Sequence, residues 1–325
     1  ASYWVHRLNH KINIFWNQHL IHHSSEEFNL ACALRQSISN LIGFGALFLI
    51  PAAIFGVPAK VIMILAPLHL FAQFWYHTQH IGKLGFLEYI IVTPSQHRVH
   101  HAINPIYIDK NLAAIFCVWD RLFGTFQEEL DSEPPVYGTL KASKSWNPIW
   151  INFQHLWQLT KDAWYAKKRI DKLKIWFMPT GWRPADVEKR FPIIPRAIDA
   201  TNKYAPTYTG PWKMIALVHF ISLTLLLFFF LGNFSELSNL FRLHFGIVLL
   251  FSIFGYTALI DFHQWAPIYE IFRGLLGNLF IFLPQCIFLR IEHPVFFGFF
   301  VTYFLVTTAI GVWSRSKEFN RSLAL

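Results

Sequence analysis

The chain has 325 residues, 54% hydrophobic and only 14% charged, with 34 Phe and 13 Trp, whereas an average soluble domain carries about 25% charged residues. That composition excludes an ordinary soluble domain and implies a protein embedded in lipid. The formal charge of +9 comes with no nucleic-acid-binding motif, and three scattered cysteines without a C-x-x-C pair suggest neither a disulfide framework nor a thiolate metal site.

The opening residues, ASYWVHR, read as the end of a helix that starts upstream, so a fragment is expected. Five histidines follow within HRLNHKINIFWNQHLIHH: His6 and His10 as HxxxH, then His19, His22 and His23 as HxxHH. On a helix turning about 100° per residue, i, i+3 and i+4 share one side, so each group aims its rings together. His19 lies nine positions after His10. A straight helix would aim the two groups in opposite directions, about 180° apart, so a break is expected within 11–18, near Asn13 or Asn17. Glu26 and Glu27 fall at i+4 from His22 and His23 and are candidates to hold the far ring N–H groups.

Two apolar runs come next, 37–56 and 57–76, each about long enough to cross a bilayer and joined at Gly56 and Pro58 as a hairpin. His77 and His80 lie just beyond, at the same membrane face as the clusters; His77 is a ninth ligand candidate, ahead of His80. His97, His100 and His101 repeat HxxHH. The stretch 77–212 carries 17 Lys and Arg against 12 Asp and Glu, and four further runs follow at 213–232, 243–260, 274–291 and 294–313. With a basic tail, RSKEFNR, the charge bias puts the histidines, the middle stretch and the C-terminus on the cytoplasmic side. His69, His155, His219, His244, His263 and His293 stand alone and read as ordinary hydrogen-bonded residues.

The expected fold is therefore all-α: a polytopic integral membrane protein with a histidine-rich di-metal site at the cytoplasmic ends of its helices. In HxxHH the adjacent rings point about 100° apart and reach two different points, which suits two ions. Imidazole suits Fe, Zn, Cu and Ni. Eight or nine ligands shared by two ions leave positions open for dioxygen or hydrolytic chemistry. A zinc hydrolase would want a general base in H-E-x-x-H, which is missing. A metal or haem carrier would want polar residues within the spans, which look nearly free of ionisable groups.

The segments HRLNH, WNQHLIHHSSEEFNLACALRQS, TPSQHRVHHAINPIYIDKN and VWDRLFGTFQEE resemble the fatty acid hydroxylase superfamily of histidine-rich membrane oxygenases, which includes sterol desaturases. Through WFMPTGWRPAD, KYAPTYTGPW and ALIDFHQWAPIYEIFRGLL the chain further resembles the alkylglycerol monooxygenase branch. The resemblance implies two Fe ions held by His6, His10, His19, His22, His23, His97, His100 and His101, with His77 at the position of an intervening histidine. It also implies dioxygen as co-substrate, tetrahydrobiopterin as reductant, and hydroxylation of the carbon next to an ether oxygen to release fatty aldehyde. Lys11 departs from the branch, which commonly has Glu there, and that bears on the pterin. The division implied is a di-iron domain, 1–130, lacking its N-terminal part; a cytoplasmic linker, 131–212; and a four-span block, 213–325. Absence of a nucleotide, haem or flavin motif calls for a diffusible reductant or an external redox partner. The alternative is a hydroxylase or desaturase of a sterol or acyl chain. The lipid substrate would come sideways from the bilayer, in the endoplasmic reticulum or a bacterial inner membrane.

Overall fold

The structure is a computed structural model describing residues 1–316. Those residues are helical, with no β-strand and only two isolated bridges, Ile12 to Pro179 and Ala102 to Tyr137. The chain forms two compact units: Ala1–Ser143 with Ile151–Tyr204, and Lys144–Trp150 with the residues from Ala205 on. The stretch 131–212, expected as a linker, thus divides between them.

In the first unit, α1 (Ser2–Lys11) and α2 (Asn13–His23) are separated by Ile12 alone, whose extended backbone (φ −123°, ψ 128°) makes the expected break. Next come α3 (Leu30–Ala33), two 3-10 turns (Ile38–Ile42 and Phe44–Leu49), α4 (Ile50–Ile54) and α5 (Ala59–Trp75). The run 37–56 is therefore no straight span. Left-handed Gly43 (φ 69°) divides it and Leu30–Ile42 meets Phe44–Ile54 at 83°, while α5 has only 17 residues. The turn before α5 does fall at Gly56–Pro58. α6 (Pro94–His101) is buried along its whole length, α7 (Val118–Leu122) follows, and α8 (Pro148–Tyr165), α9 (Arg169–Lys174) and α10 (Ala185–Arg190) complete this part of the chain.

In the second unit, α11 (Gly210–Gly232), α12 (Asn239–Ile260) and α15 (Pro294–Ser316) are long and apolar enough to cross a membrane. The expected span 274–291 is broken. α13 (Ala266–Ile281) begins eight residues earlier, and the chain bends by 76° at Pro284 before α14 (Ile287–Glu292). Proline removes a backbone donor and clashes with the preceding turn, which is the reason for the bend. Six spans thus become three continuous ones, or five if each bent pair crosses as one. α13 and α15 cross closely: a Cβ on Gly277 would collide with the Phe304 ring and one on Gly274 with Thr308. Small residues at such crossings let helices gain contact area in lipid, where no hydrophobic effect drives them together. The basic tail beyond Ser316 lies outside the described residues.

Candidate metal centre

The break at Ile12 starts the site. A new helix begins at Asn13 with unpaired backbone N–H groups, and segment 175–182 supplies their partners: Asn13 N donates to Met178 O and Ile14 N to Trp176 O. The Asn13 side chain, 1% exposed, donates to Ile175 O (2.9 Å) and Trp182 O (3.1 Å) and accepts from Gly181 N (3.0 Å). At the far end of α2, Arg35 donates to Ile21 O and Ser24 Oγ. These bonds fix the angle at which the second histidine group meets the first. Replacing Asn13 with Ala would leave three buried backbone groups unpaired and is expected to cost about 2–3 kcal/mol; thermal unfolding in detergent, with metal content, checks it.

α6 is fixed as firmly. Thr93 caps it, and the buried Glu88 carboxylate accepts from Thr93 Oγ1, Ser95 Oγ and Leu84 N. Arg98 makes a two-pronged pair with Glu129 (2.7 and 2.6 Å) and donates to the carbonyls of Thr78 and Ile81. Asp120 holds the backbone N–H groups of Leu112 and Ala113.

Nine histidines converge on this frame, in two groups. His6, His10, His19, His23 and His100 form one, and His22, His77, His97 and His101 the other; within each group the candidate ligand atoms lie within 4.8 Å of one another. The adjacent pairs divide between the groups: His22 faces one and His23 the other, as do His101 and His100. His77 (1% exposed) joins the second group, whereas His80 is exposed and lies outside both.

The ring nitrogens show what this arrangement can hold. His6, His22 and His100 each donate Nδ1–H to a backbone carbonyl, of Leu112 (2.8 Å), Cys32 (3.1 Å) and Lys110 (3.1 Å) respectively, and His77 donates to Gln73 O. A neutral imidazole has one proton. Each of these rings therefore turns a bare Nε2 lone pair inward. The Nε2 atoms of His22 and His77 face each other at 3.2 Å with no proton between them, and those of His10, His23 and His100 are buried without a hydrogen-bond partner. Burial lowers the pKa of the second group, His77 to about 4 by burial alone and His22 to about 3 with help from neighbouring imidazoles, which also act on His97 and His101. Burial does the same in the first group. A shared cation satisfies all these lone pairs. Two nitrogens about 2.1 Å from one ion and at right angles lie about 3.0 Å apart, close to the 2.8–3.2 Å between facing Nε2 atoms here. The residues fit a metal at each group.

Glu26 and Glu27 do not hold the rings. α2 ends at His23, so the i+4 relation lapses; Glu26 pairs with Arg196 (2.8 Å) and accepts from Tyr204 N, and Glu27 pairs with Lys203 (2.6 Å). The carboxylate beside a ring is instead Asp109, 3.4 Å from His10 Nδ1 and 2.6 Å from Lys11 Nζ. Asp109 and Asn111 both adopt positive φ (57° and 51°), where Asp and Asn are tolerated better than most residues, and the residue pattern alone does not mark Asp109 as a partner of His10. A cavity of about 420 Å³ adjoins the first group, lined by His10, His23, His100 and Trp16 on one side and by His155, Gln158, Asp162 and Arg183 on the other. His155, expected to be an ordinary residue, donates Nε2–H to Asn13 O and forms part of that wall.

Residues 1–125 match the fatty acid hydroxylase family. Over 280 residues the chain is 35% identical to alkylglycerol monooxygenase of Homo sapiens, covering 84% of this chain and 61% of that protein. It is 38% identical over 222 residues to the Xenopus tropicalis alkylglycerol monooxygenase (68% and 49% covered) and 29% identical over 124 residues to an ornithine lipid hydroxylase of Rhizobium tropici (38% of each). The chain thus spans about half to three-fifths of the length of the two vertebrate relatives. No solved structure matches it. The segment that matches the fatty acid hydroxylase family, residues 1–125, holds all nine inward-turned histidines.

Proposed function

We propose that the protein is a dioxygen-dependent lipid monooxygenase with two irons, one at each histidine group, acting on the carbon next to the ether oxygen of alkylglycerols. The opposed, unprotonated Nε2 atoms of His22 and His77 carry the metal part of this reading. The alkylglycerol monooxygenases among its relatives support the substrate. Iron with dioxygen supplies an oxidant able to break an unactivated C–H bond, which no side chain can. The overall step takes one oxygen atom into the C–H bond and reduces the other to water with two electrons and two protons from a reductant; the resulting hemiacetal separates into fatty aldehyde and glycerol. Burial keeps the nine imidazoles in their neutral form, while the carbonyls of Leu112, Cys32, Lys110 and Gln73, with Asp109, orient five of the rings. This chain's residues also leave a cavity beside one group, lined largely by apolar side chains such as Leu20, Ile103, Ile108, Leu159 and Ile193, with one polar wall. That wall of Gln158, Asp162, Arg183 and His155 offers hydrogen-bond partners to a polar reductant such as tetrahydrobiopterin, and the apolar lining suits an alkyl chain. The site would lie at the cytoplasmic face of an endoplasmic-reticulum or bacterial inner membrane.

The second reading is hydroxylation of an acyl chain or sterol, fed by a redox partner. The relative named as an ornithine lipid hydroxylase favours it. The test is dioxygen uptake by iron-loaded protein given an alkylglycerol, with and without tetrahydrobiopterin. Pterin-dependent uptake with release of fatty aldehyde is the expected result. No uptake in a preparation holding two irons would overturn the ether-lipid assignment.

A further inference from the structure

Helix α8 turns aromatic rings outward, while its inner face is mixed, with Ile151 and Leu159 buried beside polar side chains. Its inner face carries Asn152 and Asp162, both buried, and sends His155, Gln158 and Asp162 to the cavity. Its outer face carries Phe153, Trp157 and Trp164, 46%, 51% and 76% exposed. At i, i+4 and i+11 these rings fall within an arc of about 40°. The segment that follows behaves alike: Ile170, Leu173 and Phe177 are 61%, 69% and 68% exposed. Lys172 Nζ donates to Trp164 O (2.8 Å), which joins the end of α8 to α9.

The charge on this surface is one-sided. Residues 161–177 contain six Lys and Arg (161, 167, 168, 169, 172 and 174) against two Asp. Asp162 is buried and paired with Arg183, and Asp171 lies 3.4 Å from Lys174. Lys167, Lys168 and Arg169 are exposed, and their side chains form no ion pair among the described residues, although the Lys167 backbone N–H donates to the Asp186 carboxylate (3.2 Å). Water is a poor solvent for such a row of indole and aliphatic side chains. Bulk hydrocarbon is a poor one for the lysines. The zone between them, where Trp and Lys are both at home, is the headgroup layer.

We infer that the outer face of α8, together with the segment through Phe177, lies against the anionic headgroup layer of a bilayer and forms a membrane-contact surface separate from the spanning helices. α8 then stands between the headgroup layer on one side and the cavity beside the histidines on the other. The test places photoreactive benzoylphenylalanine at Trp164 or Leu173 of the full chain in nanodiscs of phosphatidylglycerol or phosphatidylcholine. The same probe at Phe228, 68% exposed on α11, serves as the reference for lipid contact. Lipid adducts at 164 and 173 are expected, in about threefold or greater yield in phosphatidylglycerol, and falling toward the phosphatidylcholine level when Lys167→Glu, Lys168→Glu and Arg169→Glu are combined. Adducts to a second copy or to another protein, lipid adducts at Phe228 alone, or equal yield in both lipids would each overturn the inference.

Discussion

In the two-iron lipid monooxygenase proposed above, replacing His97 with Ala is expected to abolish lipid oxidation and to lower bound iron from about two to about one per chain. His97 sits in the middle of the second group, its Nε2 2.9 Å from that of His77 and 3.1 Å from that of His101. Changing a residue that merely orients a ligand costs about 10–100-fold in affinity or activity, so removing a ligand costs more than about 100-fold. The neighbouring group has its own five rings, which is why one ion should remain. His80→Ala is the matched control: that ring is exposed and belongs to neither group. Iron content by elemental analysis, beside dioxygen uptake, decides the matter. Retention of both irons in His97→Ala, or loss of them in His80→Ala, would contradict the two-group site.

The second large effect belongs to the helices of the other unit. Replacing Arg273 with Met is expected to destabilise the protein by about 3–5 kcal/mol, the cost of leaving a buried charge without its partner. Glu270 is fully buried and Arg273 is 6% exposed. Their side chains meet through two hydrogen bonds, and Arg273 also donates to Ser252 (3.0 Å) and Tyr303 (3.4 Å). Gly255 on α12 makes room, since a Cβ there would strike Glu270 Oε1. Adding Glu270→Gln to Arg273→Met removes both charges and should recover most of the loss, because a buried pair contributes little net stability over neutral residues of similar size. Thermal unfolding in detergent compares the two. A single variant costing under about 1 kcal/mol, or a double variant no better than the single, would refute the account.

The sequence carried the centre better than the helices around it. Histidine spacing is a local property: the turn per residue predicted both the break between His10 and His19 and the parting of His22 from His23. What holds those rings is not local. Cys32, Leu112, Lys110 and Gln73 act through backbone carbonyls, which leave no mark on residue type, and Glu26 and Glu27 drew attention only because α2 was carried past His23. The spans failed for a similar reason. Hydropathy measures how oily a run is, while Gly43 and Pro284 decide whether it is straight. Placing the start of a span at 274 also hid Glu270 and Arg273, which lie in the same helix once it begins at Ala266. That overturns the expectation of spans nearly free of ionisable groups.

The one-residue break at Ile12 limits how this protein can vary by inheritance. Residues 11–18 can exchange identity wherever they do not touch the frame, because the break is set by backbone bonds from segment 175–182. Their number cannot change. One codon inserted between Asn13 and His19 would rotate three imidazoles by about 100° and leave the other six where they are. A deletion would do the same in the opposite sense. Such a segment should accept substitution only at the positions that stay off the frame and length change hardly at all.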